Sequence, residues 1–147
     1  MEIKENQAQA RGDNLDVSYK QSVELCRFLK GKKVIKAKKI LEDVMILKQA
    51  IPFKVYVRDI AHRKGGMGSG KYPVKAADYV LRLLKSAESN AKNKGLNAEN
   101  LFVNVIIPNK ASTPMRPGRI RGRKAKRTSF CVIIEERSSK DKSEVKK

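Results

Sequence analysis

The chain has 147 residues, 40% hydrophobic and 33% charged, with 34 Lys and Arg against 15 Asp and Glu for a formal charge of +19. A chain of this length can bury one core but not two, so a single domain over residues 1–136 with a polar, disordered basic tail over residues 137–147 is expected. No apolar run approaches the roughly 18–20 residues that span a bilayer, and residues 1–6 carry no signal-like apolar stretch, so the expectation is a soluble, cytoplasmic protein without a membrane partner.

In chain order, a short strand is expected near residues 14–17. Val23, Cys26 and Leu29, with Leu25 and Phe28 beside them, recur at helical spacing and stop at Gly31, which predicts a helix over residues 20–30. Val34, Ala37, Ile40, Leu41, Val44 and Met45 repeat that period, with Lys36, Lys38, Lys39, Glu42 and Asp43 on the other face. This second helix is expected to end at Ile51-Pro52, because proline disfavours helical backbone in the residue before it. Residues 53–73 show little periodicity and read as a glycine-rich loop carrying Arg58, Arg63, Lys64 and Lys71. From Pro73, the stripe Ala76, Ala77, Val80, Leu83, Leu84, Ala87 and Ala91, stopped by Gly95, predicts the longest helix. Its small residues suggest close packing on a sheet. Residues 101–107 and 128–134 are β-rich and predict an antiparallel pair. The expected fold is α+β: three helices packed on a small antiparallel sheet, with a long protruding β-hairpin over residues 101–134.

That hairpin holds the main functional signal. No acid falls between Glu99 and Glu135, while Lys110, Arg116, Arg119, Arg121, Arg123, Lys124, Lys126 and Arg127 crowd the middle. The connection over residues 108–127 far exceeds the two to five residues usual for a hairpin loop. Arms of about 15 residues would reach on the order of 50 Å at 3.3 Å per residue. Such a ribbon lacks hydrophobic support of its own and needs another molecule to hold it. The arginine guanidinium bonds phosphate oxygens bidentately and stacks on bases, so nucleic acid is the expected partner. A charge excess can also mark a binder of acidic membranes, but that would show as a basic amphipathic helix with Trp or Phe on its other face. The sequence has no Trp and four Phe. With aromatics at 5% and no run of them on alternate strand positions, recognition of backbone and shape is expected rather than base stacking. Composition leaves RNA and DNA both open, the latter as a basic architectural protein of chromatin.

Catalytic and metal chemistry find no support. Gly65-Gly66-Met67-Gly68-Ser69-Gly70-Lys71 matches the phosphate-loop spacing GxxxxGK. Tyr72 stands where Ser or Thr should hold magnesium, and no hydrophobic strand precedes the motif. The segment is read instead as an RNA-contacting loop using Arg63, Lys64 and Lys71. His62, the only histidine, with Cys26 and Cys131 cannot supply the usual four zinc ligands. Both cysteines are read as reduced core residues. No metal, cofactor, small-molecule substrate or enzyme activity is expected.

Several segments, in order, resemble one family. They are Arg11-Gly12-Asp13-Asn14-Leu15 through Gly31-Lys32-Lys33, then Ile51-Pro52-Phe53 and Tyr72-Pro73-Val74-Lys75-Ala76-Ala77. Ala87-Glu88-Ser89-Asn90-Ala91 with Lys94-Gly95-Leu96, Asn109-Lys110-Ala111 and Lys126-Arg127-Thr128-Ser129 follow. Over residues 8–136 the chain resembles the universal large-subunit ribosomal protein L-twenty-two family, in its archaeal and eukaryotic branch. The resemblance implies a non-enzymatic constituent of the large subunit, an α+β domain at its surface, and a hairpin threaded through large-subunit rRNA to the peptide exit tunnel. It also implies neighbouring ribosomal proteins and the nascent polypeptide as partners, and a part in subunit assembly. Arg119-Ile120-Arg121-Gly122-Arg123 aligns with the family's Arg-Ala-x-Gly-Arg tip, with Ile120 in place of alanine and Pro117-Gly118 departing before it. By that alignment Met115, Arg116, Pro117, Gly118, Arg119, Ile120, Arg121, Gly122 and Arg123 would line the tunnel.

Overall fold

The computed structural model describes residues 4–120 and 122–137. Arg121 lies outside them, and so does the expected tail after Arg137. In chain order the elements are β1 (Gln7–Leu15), α1 (Tyr19–Leu29), α2 (Val34–Met45), β2 (Ile51–Pro52), β3 (His62–Arg63) and β4 (Met67–Lys71). They are followed by α3 (Val74–Asn93), a 3-10 turn (Ala98–Asn100), β5 (Leu101–Lys110) and β6 (Thr128–Glu136). Three helices with small antiparallel sheets make the class α+β, as expected.

The main sheet has the order β1-β6-β5, so β6 is paired on both sides. Its side chains show why it occupies the centre: Thr128, Phe130, Val132, Ile133 and Ile134 are all buried. Branched and aromatic residues of this kind suit a pleated surface covered on one face and paired on both edges. β1 is longer and begins earlier than expected, reaching from Gln7↔Glu135 to Leu15↔Thr128. Its core positions are Ala8 and Ala10, and alanine carries little β signal in a sequence. Those small side chains have a packing reason, because α3 lies on β1 with its own Ala76, Ala77, Ala87 and Ala91 buried. At Gly12 a Cβ would come within 3.1 Å of the Leu83 and Leu15 side chains, so a larger residue at this crossing would have to push them aside. The residues expected to form a strand, 14–17, instead mark its end. A bulge shifts the register between Gly12 and Leu15, with Asn14 at φ 53°.

α1 buries Ser22, Leu25, Cys26 and Leu29, close to the predicted stripe. Gly31 then adopts φ 78°, a conformation open to glycine, and donates its N–H to Val103 O at 2.8 Å while Val103 N–H returns to Lys32 O at 2.9 Å. The turn between α1 and α2 is thereby fastened to β5. α2 ends at Met45, not at Ile51-Pro52: Leu47 turns left-handed at φ 61°, and Lys48 N–H bonds Asp43 O. Ile51-Pro52 is a strand, paired with Lys71 and Gly70.

Residues 53–73, expected as a loop, contain the other strands of a second sheet of order β2-β4-β3. β4 includes most of the glycine-rich motif, so that motif is extended and paired on both sides instead of wrapping ahead of a helix. Gly70 lies so close to Arg63 that a Cβ would meet its side chain at 3.0 Å.

The β5–β6 ladder, with one register shift between Val103 and Val105, runs from Leu101↔Glu136 to Lys110↔Thr128. Regular strands therefore stop well short of arms of fifteen residues, and past them the backbone pairs only intermittently. One core cluster joins α1, α2 and α3 to β1, β5 and β6. Phe130 sits in it at 1% exposure on the doubly paired strand. Phe130→Ala is expected to remove about 3–5 kcal/mol of unfolding free energy by leaving a cavity. The urea midpoint measures this, and a loss below about 1 kcal/mol would show that the sheet repacks around the gap.

Candidate nucleic-acid interface

Residues 111–127 connect β5 to β6 and remain partly paired. Ala111 N–H donates to Arg127 O at 3.2 Å, Ala125 N–H to Pro114 O at 2.8 Å, and Arg116 N–H to Arg123 O at 2.8 Å, with a bridge between Met115 and Lys124. The two sides thus run antiparallel as far as Arg116 and Arg123. Around the turn Gly118 has φ 137°, and Met115 and Ile120 expose 57% and 60% of their surface.

Lys110, Arg116, Arg119, Arg123, Lys124 and Lys126 are all exposed. Among the described residues, no ion pair involves any cation of this segment; the pairs that exist use Arg11, Lys38, Lys48, Lys75, Arg82 and Lys92. The body therefore neutralises part of its charge internally, while the described residues of the connection do not. One longer-range effect links the two. Asp16 is held below the usual carboxylate range, first by its hydrogen bond and ion pair with Lys75 and then by the charges of Arg116 and Arg127.

Arg127 differs from the others. It is half-buried, and its Nη1 donates to Asn14 O at 3.0 Å, gripping the bulge that ends β1. Its Nε is shielded from water and finds no hydrogen-bond partner among the described residues.

The structure gathers Lys110, Lys124, Lys126 and Arg127 around one cleft of about 600 Å³. It also brings Ser18, Tyr19, Lys20, Tyr56 and Thr113 to the same cleft. Tyr19 and Tyr56 meet edge to face with ring centroids 6.4 Å apart. Sequence reasoning missed this pair. The two residues are separated by a helix-turn-helix unit and a strand, and no spacing rule joins them. Arg63, Lys64 and Lys71 line no part of this cleft. Arg63 and Lys64 are exposed at the β3–β4 turn, where the Arg63 guanidinium lies 5.4 Å from the Tyr72 ring centre. Lys71 is half-buried at the end of β4.

Tyr56 is positioned by a second residue that sequence reasoning passed over. Glu24 on α1 is only 2% exposed, and its carboxylate accepts three backbone N–H groups. Val55 and Tyr56 donate to Oε1 at 2.7 Å each, and Lys54 donates to Oε2 at 3.2 Å. Burial works against the charge, but these three donors outweigh it and hold the carboxyl below its ordinary value. The turn over residues 54–56 is thus organised by one buried anion. Among the described residues, no three His, Cys, Asp or Glu side chains converge as metal ligands would.

The ribosomal protein L22p/L17e family model matches residues 10–133, most of the chain. The chain belongs to the L22p/L17e family. A large ribosomal subunit protein uL22 of Methanococcoides burtonii is 46% identical over 133 residues, covering 89% of this chain and 87% of the relative. The uL22 proteins of Methanoculleus marisnigri and Methanocaldococcus jannaschii are 39% and 37% identical, each over 139 residues and about nine-tenths of both chains. Membership in L22p/L17e makes the protein a structural, non-enzymatic ribosomal component of the cytoplasm.

Because the folded carboxyl of Glu24 titrates below its ordinary value of 4.5, the stability it contributes is present above that value. It is lost as pH falls through 4.5 and on toward the lowered value. Glu24→Gln is expected to cost about 1–3 kcal/mol at neutral pH. It should also flatten the decline of the urea midpoint below pH 4.5; parallel acid limbs for the two proteins would count against this account of the turn.

Proposed function

We propose that this L22p/L17e protein is a single domain over residues 1–136, held in the large subunit by rRNA. Lys110, Arg116, Arg119, Arg121, Arg123, Lys124, Lys126 and Arg127 contact phosphates, and Arg63, Lys64 and Lys71 supply a second patch. The observation that carries the reading is the run of exposed cations between residues 110 and 126 with no ion-pair partner among the described residues. Uncompensated charge on a segment without a hydrophobic core of its own is stabilised when phosphates displace its counterions. Lys and Arg spaced along both sides of a paired connection can follow a polyanion backbone, and the planar arginines can grip it bidentately. The relatives' large-subunit role favours rRNA over DNA as that polyanion.

On this reading the segment is a long hairpin extending from the body into the rRNA, and the body anchors on the subunit surface. Its tip, Met115, Arg116, Pro117, Gly118, Arg119, Ile120, Arg121, Gly122 and Arg123, lines the nascent-peptide exit tunnel. Neighbouring ribosomal proteins and the nascent polypeptide are its further partners. Support for the tip comes from its alignment with the family's arginine-rich tip and from the exposure of Met115 and Ile120, which the protein itself leaves uncovered. Because the segment joins distant parts of the RNA once bound, the protein also assists subunit assembly.

Binding of the full chain to a transcribed archaeal large-subunit rRNA should weaken steeply with salt. Changing Arg116, Arg119 and Arg123 together to Gln is expected to reduce the slope of log K against log salt by about 2–3, at roughly 0.7–0.9 per lost phosphate contact. An unchanged slope would remove the arm from the interface, and equal affinity for duplex DNA would favour the chromatin alternative.

A further inference from the structure

We propose that the cleft between the N-terminus of α1, the Glu24-organised turn and the base of the residue 111–127 connection is a nucleotide subsite. It receives one unpaired, extruded nucleotide of the bound rRNA, whose base packs on Tyr19 and Tyr56 and whose phosphates meet Lys110, Lys126 and Arg127. This rests on the rRNA-binding reading and adds to it a mode of contact that backbone recognition does not include.

Four observations lead there. The cleft, at about 600 Å³, falls within the size range of small-ligand sites. Its named lining contains no acid: five cations, two tyrosines, Ser18, Thr113 and Ala125 surround it. Its two aromatic rings are half-buried and meet edge to face, so each keeps a face that the other ring does not cover. A base offers a flat apolar surface with polar edges, the counterpart of rings flanked by hydroxyl groups and cations. Finally, Arg127 Nε carries an N–H that is shielded and unpartnered among the described residues. A turn of the guanidinium toward the cleft that Arg127 lines would bring that N–H to a phosphate or base oxygen there.

The position of the cleft also selects its occupant. Lys110, Lys124 and Lys126 stand where the connection leaves the β5–β6 ladder, so an RNA strand following the cationic arm toward the body passes over it. An acidic peptide could satisfy the lysines, but its carboxylates would bring no flat aromatic surface to the tyrosines.

Tyr56 is held in place from behind. Its own N–H is one of the three bound by Glu24, so the ring projects from a turn that is fixed before any ligand arrives. Glu24 is a positioning residue for the subsite and does not touch the nucleotide.

The test uses the full chain and the same large-subunit rRNA transcript, with affinity measured over a salt series. Tyr56→Leu and Tyr19→Leu are each expected to weaken binding by a factor of about 5 to 150, the range for loss of one stacked base. The salt slope should stay the same, because no phosphate contact is lost. Tyr56→Phe should restore most of the affinity, and thermal unfolding of each variant checks that the fold persists. Irradiation at 254 nm followed by mass spectrometry should find a nucleotide linked to Tyr19 or Tyr56. Leucine variants that bind like the wild type while the wild type binds with a steep salt slope would overturn the subsite and leave the rRNA reading standing. Failure of the wild type to bind the transcript would overturn both. In assembled subunits, a cross-link from the cleft to a ribosomal protein and none to RNA would also overturn the subsite and assign the cleft to a protein neighbour.

Discussion

The pairing of β6 with both β1 and β5 is the constraint on which the other features hang. Its buried face, Phe130, Val132 and Ile134, anchors the core, and its two ladders fix the register of the strands beside it. The first residue of β6, Thr128, is paired with Lys110 on one side and Leu15 on the other, and its hydroxyl donates to Val17 O at 3.0 Å in the buried interior. At that same level Arg127 bonds the bulged Asn14. The point where the cationic connection departs is therefore clamped from both sides. A slip of one residue would turn Thr128 and Phe130 out of the core, so the apolar residues of the body set the direction in which the arginines leave it.

The body and the connection handle charge in opposite ways. In the body, Glu24 answers the amides of a turn, Glu88 lies against Lys38 and Lys92, Asp78 pairs with Arg82 one helical turn on, and Asp16 holds Lys75. The exposed ones among these contacts are each worth little. Their combined effect is to set a carboxylate beside several of the body's cations. Among the described residues, the connection has no such arrangement. Exposed cations without local carboxylates remain hydrated and surrounded by counterions until a polyanion replaces them, which makes the segment's preferred state dependent on what it meets.

Much of this architecture was legible in the sequence where side chains repeat. The stripes Ala37-Ile40-Leu41-Val44 and Ala76-Ala77-Val80-Leu84-Ala87-Ala91 are the buried faces of α2 and α3, and the branched residues of 101–107 and 128–134 are paired strands. β1 was misplaced because its core residues are alanines, chosen by the close approach of α3 rather than by strand propensity. The second sheet was invisible because Gly68 and Gly70 carry no side-chain pattern, and their pairing is decided by Ile51-Pro52 across the chain. Of the interface, the cationic run could be read directly. The tyrosine pair and the Glu24 anchor could not, since each joins residues about thirty or more positions apart through backbone groups or ring edges that leave no periodic trace.

The absence of acids between Glu99 and Glu135 has a kinetic consequence as well. All 15 carboxylate side chains fall outside that interval, while eight cations fall within residues 110–127. Net positive charge is therefore densest along residues 110–127, where eight cations and no acid fall within 18 residues. In the field of a polyanion such a body rotates before it touches, and the end of higher charge density leads. On the rRNA-binding reading proposed above, productive encounters would begin with residues 110–127, an order of approach written into where the aspartates and glutamates are missing.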